Sequence, residues 1–278
     1  MFQADLLRDK RILVTGGGTG LGKSMGHRFL ELGARLTICG RRAEVLAETK
    51  AEFDADFTGR TAVYPCDIRD PAAVDAMIDG IWANQGGLDI LVNNAAGNFV
   101  ARTESLSPRA VDAVLAVVLH GTTYVTLACG KRWIAAKTPA TVLSIIATYA
   151  ATGSPFVVPS AMAKAGVLAL TRSLAVEWGG KGIRLNAIAP GPFPTPGAWQ
   201  RLVPNPRIEE AWRQRIPLGR FGEHEELTDL AAFLVSDRSG FINGESVVID
   251  GGEWLKGAGQ FSVLEELDEA EWAEMRRR

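Results

Sequence analysis

Tyr149, Ser160 and Lys164 fall within one short stretch of the chain, and Asn98 stands well before them. A phenol and a primary amide both donate hydrogen bonds at neutral pH, so Tyr149 and Asn98 can hold a developing oxyanion. Lysine can bind hydroxyl groups and add positive potential. Ser160 precedes Lys164 by four residues, a spacing that puts both on one face of a helix. Plainer roles stand beside these: Ser160 as a helix-start hydroxyl, Tyr149 as a half-buried aromatic, Asn98 as a turn residue, Lys164 as a surface lysine.

A second constellation is Thr15-Gly-Gly-Gly-Thr-Gly-Leu-Gly22. Gly16, Gly20 and Gly22 let the backbone turn tightly and approach a pyrophosphate. Gly17, Gly18, Thr19 and Leu21 complete a cradle at a helix N-terminus. A site selective for NAD would place an acid on the ribose about 20 residues further on. Here Arg41 and Arg42 occupy that place. A guanidinium fork matches a 2′-phosphate, so NADP(H) is the expected cofactor. Arg41 is its expected reader, and Arg42 can simply open the next helix. Asp67 is placed to meet the adenine, or else caps a turn, and residues 93–97 lie along the ribose.

These groups need a scaffold that gathers them. Short apolar runs at 11–15, 35–39, 61–66, 90–93, 141–147, 184–188 and 246–249 alternate with helical patterns at 22–32, 42–53, 71–84, 107–136, 159–178 and 223–236. Most of the runs are unbroken, not alternating, which marks strands buried on both faces. The expected fold is therefore α/β, a doubly wound parallel seven-stranded sheet with helices on both faces. In such a sheet the carboxyl ends of the strands converge on a ligand crevice, and both Tyr149 and Asn98 follow strand ends.

Nothing divides the 278 residues, so a single domain over 1–278 is expected. Five prolines and two glycines crowd 191–207, either a surface connection or, as its place after a strand suggests, a substrate lid over 191–215. The tail, 256–278, reads as a charged amphipathic stretch. With 30 basic against 32 acidic residues and a net charge of −2, no nucleic-acid partner is indicated. The tryptophans form no stacking stripe.

Three dispersed cysteines argue against a disulfide scaffold and for a reducing compartment. No Cys/His pair has ligand spacing, so no metal site is expected. The opening residues lack the apolar run of a signal peptide, which favours the cytoplasm. The longest apolar region, 110–130, is broken by Asp112, His120 and several threonines, so no membrane partner is expected. His120 reads as a packed core histidine.

With TGGGTGLG, NNAAG at 93–97, Lys164 in Ser160-Ala-Met-Ala-Lys164 and the later Pro190-Gly191-Pro192, the chain resembles the short-chain dehydrogenase/reductase superfamily over about residues 8–255. One departure is informative. The superfamily pattern is Tyr-x-x-x-Lys with a serine thirteen residues earlier, and those places hold Ser160 and Ala147. The superfamily's helix asparagine would fall at Val118. Tyr149, fifteen residues before Lys164, and Asn98 are the visible replacements.

The segments NNAAGNF, ATYAATGSPFVVPSAMAKAG, LAVEWG and PGPFPTPGAWQRL are similar to the NADPH-dependent 2,4-dienoyl-CoA reductases of the mitochondrial type. That resemblance implies Tyr149, Asn98, Ser160 and Lys164 as active-site residues. It also implies backbone contacts from Pro190, Gly191, Pro192 and Phe193 to the nicotinamide. Arg69, Phe99, Ser107 and Arg201 are its nominated contacts to an acyl-CoA thioester substrate. Further implications are reduction of a conjugated dienoyl thioester in unsaturated fatty acid oxidation, and a homotetramer. Two other functions fit the same residues: a short-chain reductase of a carbonyl such as a 3-oxoacyl thioester, and a non-catalytic NADP(H)-binding sensor.

Overall fold

A computed structural model describes residues 2–277, with the side chains of Ala198, Gln200 and Arg201 outside that description. Seven strands form one parallel sheet: β1 (Arg11–Thr15), β2 (Arg35–Gly40), β3 (Thr61–Pro65), β4 (Ile90–Asn93), β5 (Ala140–Ile145), β6 (Ile183–Pro190) and β7 (Ser246–Ile249), in the order β3-β2-β1-β4-β5-β6-β7. The helices are α1 (Gly20–Glu31), α2 (Ala43–Asp56), α3 (Pro71–Gln85), α4 (Pro108–Leu115), α5 (Thr122–Ala136), α6 (Tyr149–Thr152), α7 (Val158–Gly179), α8 (Pro196–Leu202), α9 (Pro206–Gln214), α10 (His224–Val235), α11 (Glu253–Ala258) and α12 (Glu269–Met275).

The unbroken apolar runs do what their composition demands. Ile12, Val14, Ile90, Val92 and Leu143 belong to one buried cluster. Their neighbours Leu13, Leu91 and Val142 belong to another. Successive side chains of a strand point to opposite faces, so α1 and α10 cover one face while α3, α5 and α7 cover the other. Strand order reverses between β2-β1 and β4-β5, because β1 pairs with both β2 and β4. That switch point is where ligands bind in open α/β sheets.

The strand ends move by a residue or more from their sequence-based limits: β3 stops at Pro65, β5 stops at Ile145 and β6 runs on to Pro190. A larger difference lies in the helix expected over 107–136. Residues Ala116–Gly121 form a π-helical turn between α4 and α5, an insertion that often marks a functional region. His120 lies in this turn and is exposed, not packed in the core as its apolar surroundings suggested. Its ring meets that of Tyr124 at 6.2 Å between centroids, tilted by 37°.

From Pro108 to Ala136 the chain is long and apolar enough to cross a membrane, but half of its most apolar window is buried in the fold. Trp133, Val125 and Cys129 from this run sit in the core. The proline-rich segment folds as two short helices, α8 and α9, each with proline in its first turn. The tail carries α11, a 3-10 turn over Ser262–Glu266 and α12. All three cysteines are buried and free.

Candidate active site

The switch point is held closed by Thr15. Its hydroxyl donates to the Val92 carbonyl at 3.4 Å and accepts the backbone N–H groups of Asn94 and Ala95, each at 3.0 Å. The Asn94 amide donates to the carbonyls of Thr15 and Gly16, at 3.0 and 3.3 Å. This stitching leaves no room for a side chain. A Cβ on Gly22 would stand 2.4 Å from Asn94 Nδ2 and 2.5 Å from the Gly16 carbonyl oxygen. Gly16 has φ +66 and lies against Ala95. The turn into α1 thereby borders a cavity of about 1560 Å3.

Gly16, Gly18, Thr19, Gly20, Leu21, Arg41 and Asp67 line that cavity, as do Pro190, Gly191, Pro192 and Phe193. Gly17 and the packed Gly22 are the exceptions among the cradle residues, off the lining; at Gly17 the reason is β2. A Cβ there would meet Ile38 Cγ2 at 2.5 Å, so this glycine serves the packing of the turn on β2. Of residues 93–97, Ala95 joins Asn94 and Ala96 on the wall. Asn93 instead turns away and donates to Thr126 Oγ1 at 2.9 Å, tying β4 to α5.

Tyr149, Lys164 and Asn98 line the same cavity, while Ser160 stands behind Tyr149, off the lining. Tyr149 opens α6, just past the end of β5, and its hydroxyl shares a hydrogen bond of 3.1 Å with Ser160 Oγ. Burial raises the phenol above its usual range, and the Ser160 hydroxyl partly offsets this. Tyr149 is therefore protonated, a donor, at neutral pH. Lys164, one turn beyond Ser160, is 7% exposed and donates to the Ile145 carbonyl at 2.5 Å. Burial without a carboxylate partner lowers its ammonium to about 8. Asn98 lines the cavity, and its Oδ1 accepts the Phe99 N–H at 2.9 Å, which leaves the amide NH2 as a donor.

Arg69, Phe99 and Ser107 are not brought to this cavity wall. Each has a local partner. Arg69 forks onto the Asp67 carboxylate, with Nε 2.9 Å from both oxygens, and holds it well below the usual carboxylate range. Phe99 packs on Val114, Val118 and Ala163. Ser107 Oγ accepts the Ala110 N–H and caps α4. The Arg201 side chain lies outside the described residues.

What the sequence did not disclose is another part of the lining. Trp199 of α8 and Trp212 of α9 stack at 5.5 Å with 14° between their planes, and Phe221 meets both edge-on. The Trp212 indole N–H donates to Glu253 at 2.8 Å. Burial pushes the Glu253 carboxyl up. Trp254, Leu202, Ile208 and Arg215 extend this mostly apolar surface. Two tryptophans thirteen apart in a proline-rich run carry no periodic signal; the two proline-started helices bring them face to face. Ser24, Thr195 and His224 also line the cavity.

A family model described as enoyl-(acyl carrier protein) reductase matches residues 16–253. A relative from Caenorhabditis elegans named "Probable 2,4-dienoyl-CoA reductase 3 [(3E)-enoyl-CoA-producing]" is 44% identical, over 97% of this chain and 89% of its own. Another, from Bacillus subtilis, named "Probable 2,4-dienoyl-CoA reductase [(2E)-enoyl-CoA-producing]", is also 44% identical, over 90% of this chain and 98% of its own. The solved structure of a short chain dehydrogenase from Bacillus anthracis superposes with a TM-score of 0.81 at 42% identity, covering 88% of this chain and 96% of that one. The chain belongs to the short-chain dehydrogenase/reductase family.

As a short-chain dehydrogenase/reductase the protein is an oxidoreductase working with a nicotinamide dinucleotide, and its own residues fit that group. The stitched turn gives a Cβ-free cradle for a pyrophosphate. Lys164 has three N–H donors and uses one on Ile145. Arg41 and Arg42 are exposed on the rim beside the cradle, and neither is held in a salt bridge among the described residues. The family places vacated at Ala147 and Val118 are apolar and buried, 7% and 1% exposed. A polar relay cannot pass through either; Tyr149, Asn98 and Lys164 are donors that line the cavity, and Ser160, 2% exposed, stands behind the Tyr149 hydroxyl.

Proposed function

We propose that this protein reduces 2,4-dienoyl-CoA thioesters at the expense of NADPH. The observation that carries the proposal is the Tyr149–Ser160 hydrogen bond one helical turn from buried Lys164, with Tyr149 and Lys164 lining a cavity that Trp199 and Trp212 also line.

Gly16–Leu21 would cradle the pyrophosphate, Arg41 the 2′-phosphate, Asp67 the adenine side, Lys164 the nicotinamide ribose, and the Pro190–Phe193 backbone the nicotinamide amide. When bound, the cofactor supplies a hydride. In a conjugated dienoyl thioester, addition at the δ carbon sends an electron pair through both double bonds to the thioester oxygen. Charge then gathers several ångströms from the point of attack. Tyr149 donates its phenolic hydrogen to that oxygen, and the Asn98 amide donates beside it; removing one such donor typically costs about 10²–10³ in rate. Ser160 donates to the phenol oxygen, which leaves the phenol hydrogen aimed at substrate. Lys164 holds positive potential beneath the site. A proton from water reaching the α carbon leaves a 3-enoyl thioester.

Segment 191–215 acts as the lid, and its apolar face of Trp199, Leu202, Ile208 and Trp212 takes the acyl chain. Arg215, exposed at the same cavity, suits the anionic CoA phosphates. A homotetramer in solution and a place in unsaturated fatty acid oxidation belong to the same proposal. NADPH oxidation followed with 2,4-hexadienoyl-CoA and with acetoacetyl-CoA tests it, with product double-bond position read by NMR. Turnover of the dienoyl thioester to the 3-enoyl product is expected. Activity on acetoacetyl-CoA alone would assign the same phenol to a carbonyl reductase, and tight NADPH binding without turnover would assign a sensor.

A further inference from the structure

His224 joins two parts of the site that are far apart in the chain. Its Nδ1 lies 2.7 Å from Ser24 Oγ, on the second turn of α1, and its Nε2 lies 2.9 Å from the Pro194 carbonyl oxygen. A carbonyl only accepts, so Nε2 carries a hydrogen and donates to it; Nδ1 of the neutral ring then accepts from the serine hydroxyl. Ser24 Oγ also reaches the carbonyl of Gly20, the cradle glycine, at 3.3 Å. If the ring takes a second proton, Nδ1 donates to Ser24 and the hydroxyl hydrogen turns to Gly20. The link therefore survives in either charge state.

What it links is decisive. α1 begins at the phosphate cradle, and its position is fixed further by the Arg28–Asp229 ion pair to α10, at 2.8 Å. Pro194 is the last residue before Thr195, the N-cap of α8 and so the root of the lid. The same root is gripped twice more by the strap that precedes α10. The Gly222 N–H donates to the Pro192 carbonyl at 3.1 Å. The Phe193 ring fills the place of a Gly222 side chain, where a Cβ would stand 2.4 Å from it. Thr195 lies against Gly20 itself, its Cγ2 3.4 Å from where a Gly20 Cβ would be.

We propose that His224 is a positioning residue that couples dinucleotide occupancy of the cradle to the placement of the lid. A bound pyrophosphate fixes the first turns of α1. Ser24 and His224 pass that constraint to the Pro194 carbonyl, and the lid helices then start from a fixed point. The inference needs a dinucleotide in the cradle but no particular substrate, so it stands or falls apart from the dienoyl thioester.

The test is limited trypsin digestion of the full-length protein at the lid sites Arg207 and Arg213, with and without saturating NADP+. In the parent, NADP+ is expected to slow lid cleavage about tenfold, since cleavage tracks the population of the open form. His224→Ala is expected to lose that protection at saturating NADP+ and, because coupling is reciprocal, to bind NADP+ about tenfold more weakly than the parent, measured by calorimetry. Taking the ratio with and without cofactor within each variant cancels any general loosening. Ser24→Ala keeps the bond to Pro194 but cuts the link to the cradle, and should lose protection as well; it serves also if His224→Ala folds poorly. Full protection in either variant, or a parent that binds NADP+ while its lid is cut as fast as before, would overturn the coupling.

Discussion

The Tyr149 hydroxyl lies 3.1 Å from Ser160 Oγ, although one opens α6 and the other stands in the first turn of α7. The serine fills the place the family pattern gives to tyrosine, and here it orients a tyrosine that arrives from another element. Tyr149→Phe should lower kcat by about 10²–10³ and leave the NADPH dissociation constant within about twofold. Ser160→Ala should cost less, on the order of tenfold, since the phenol remains but loses its orienting donor. Stopped-flow NADPH oxidation and fluorescence titration measure the two quantities, and a fully active Tyr149→Phe would remove the phenol from the mechanism.

Lys164 is a buried cation whose nearest acceptor is a carbonyl, and burial lowers it from 10.5 to about 8. Lys164→Met should abolish turnover and yet raise stability at pH 7 by up to roughly 3 kcal/mol, at 1.36 kcal/mol per unit. The sign follows from proton counting. Between pH 8 and 10.5 the unfolded chain holds a proton that the folded parent has shed, so parent stability rises with pH across that window. The advantage of the variant should shrink over the same range and vanish above it. Urea titrations at pH 7, 9 and 10.5 give the comparison; a variant less stable at every pH would contradict it.

Gly22→Ala places a methyl 2.5 Å from the Gly16 carbonyl oxygen and 2.4 Å from Asn94 Nδ2. Overpacking of this kind costs about 1–3 kcal/mol, and the displaced turn should weaken NADPH binding at least tenfold. Gly180→Ala, where nothing lies within 4 Å of the new methyl, is the control. Thermal melts and NADPH titrations of both variants decide the matter.

Arg41 and Arg42 stand on the cavity rim without a salt bridge among the described residues. Arg41→Ala should weaken NADPH by about 1.5–3 kcal/mol, the worth of a hydrogen bond to a charged group, and leave NADH nearly unchanged. Equal weakening of both nucleotides would place the 2′-phosphate elsewhere.

Much of this was legible in the residues. Unbroken runs such as Ile90–Asn93 can only be covered strands, and the glycine turn between β1 and α1 announces its cradle. Tyr149 and Asn98 were found because strand ends converge, a property of topology that needs no coordinates. Illegible were features decided by competition between near neighbours. Arg69 looked free for a phosphate, but Asp67 two residues away takes its fork. Ser107, by contrast, reads from the residues as a cap before Pro108, and its oxygen does accept the Ala110 N–H; only the resemblance nominates it for substrate. His120 sits in an apolar run, yet the π-helical turn leaves it exposed. The tryptophan wall depends on how α8 folds over α9, and no local pattern encodes that.

Apart from Lys164 on α7, the groups named at this cavity are mounted on the outruns of different strands: the glycine turn after β1, Asn98 after β4, Tyr149 after β5 and the prolines after β6. Each of these mountings can be varied on its own while the strands stay as they are. For an engineer, libraries restricted to those outruns would explore new substrates while leaving the seven strands untouched.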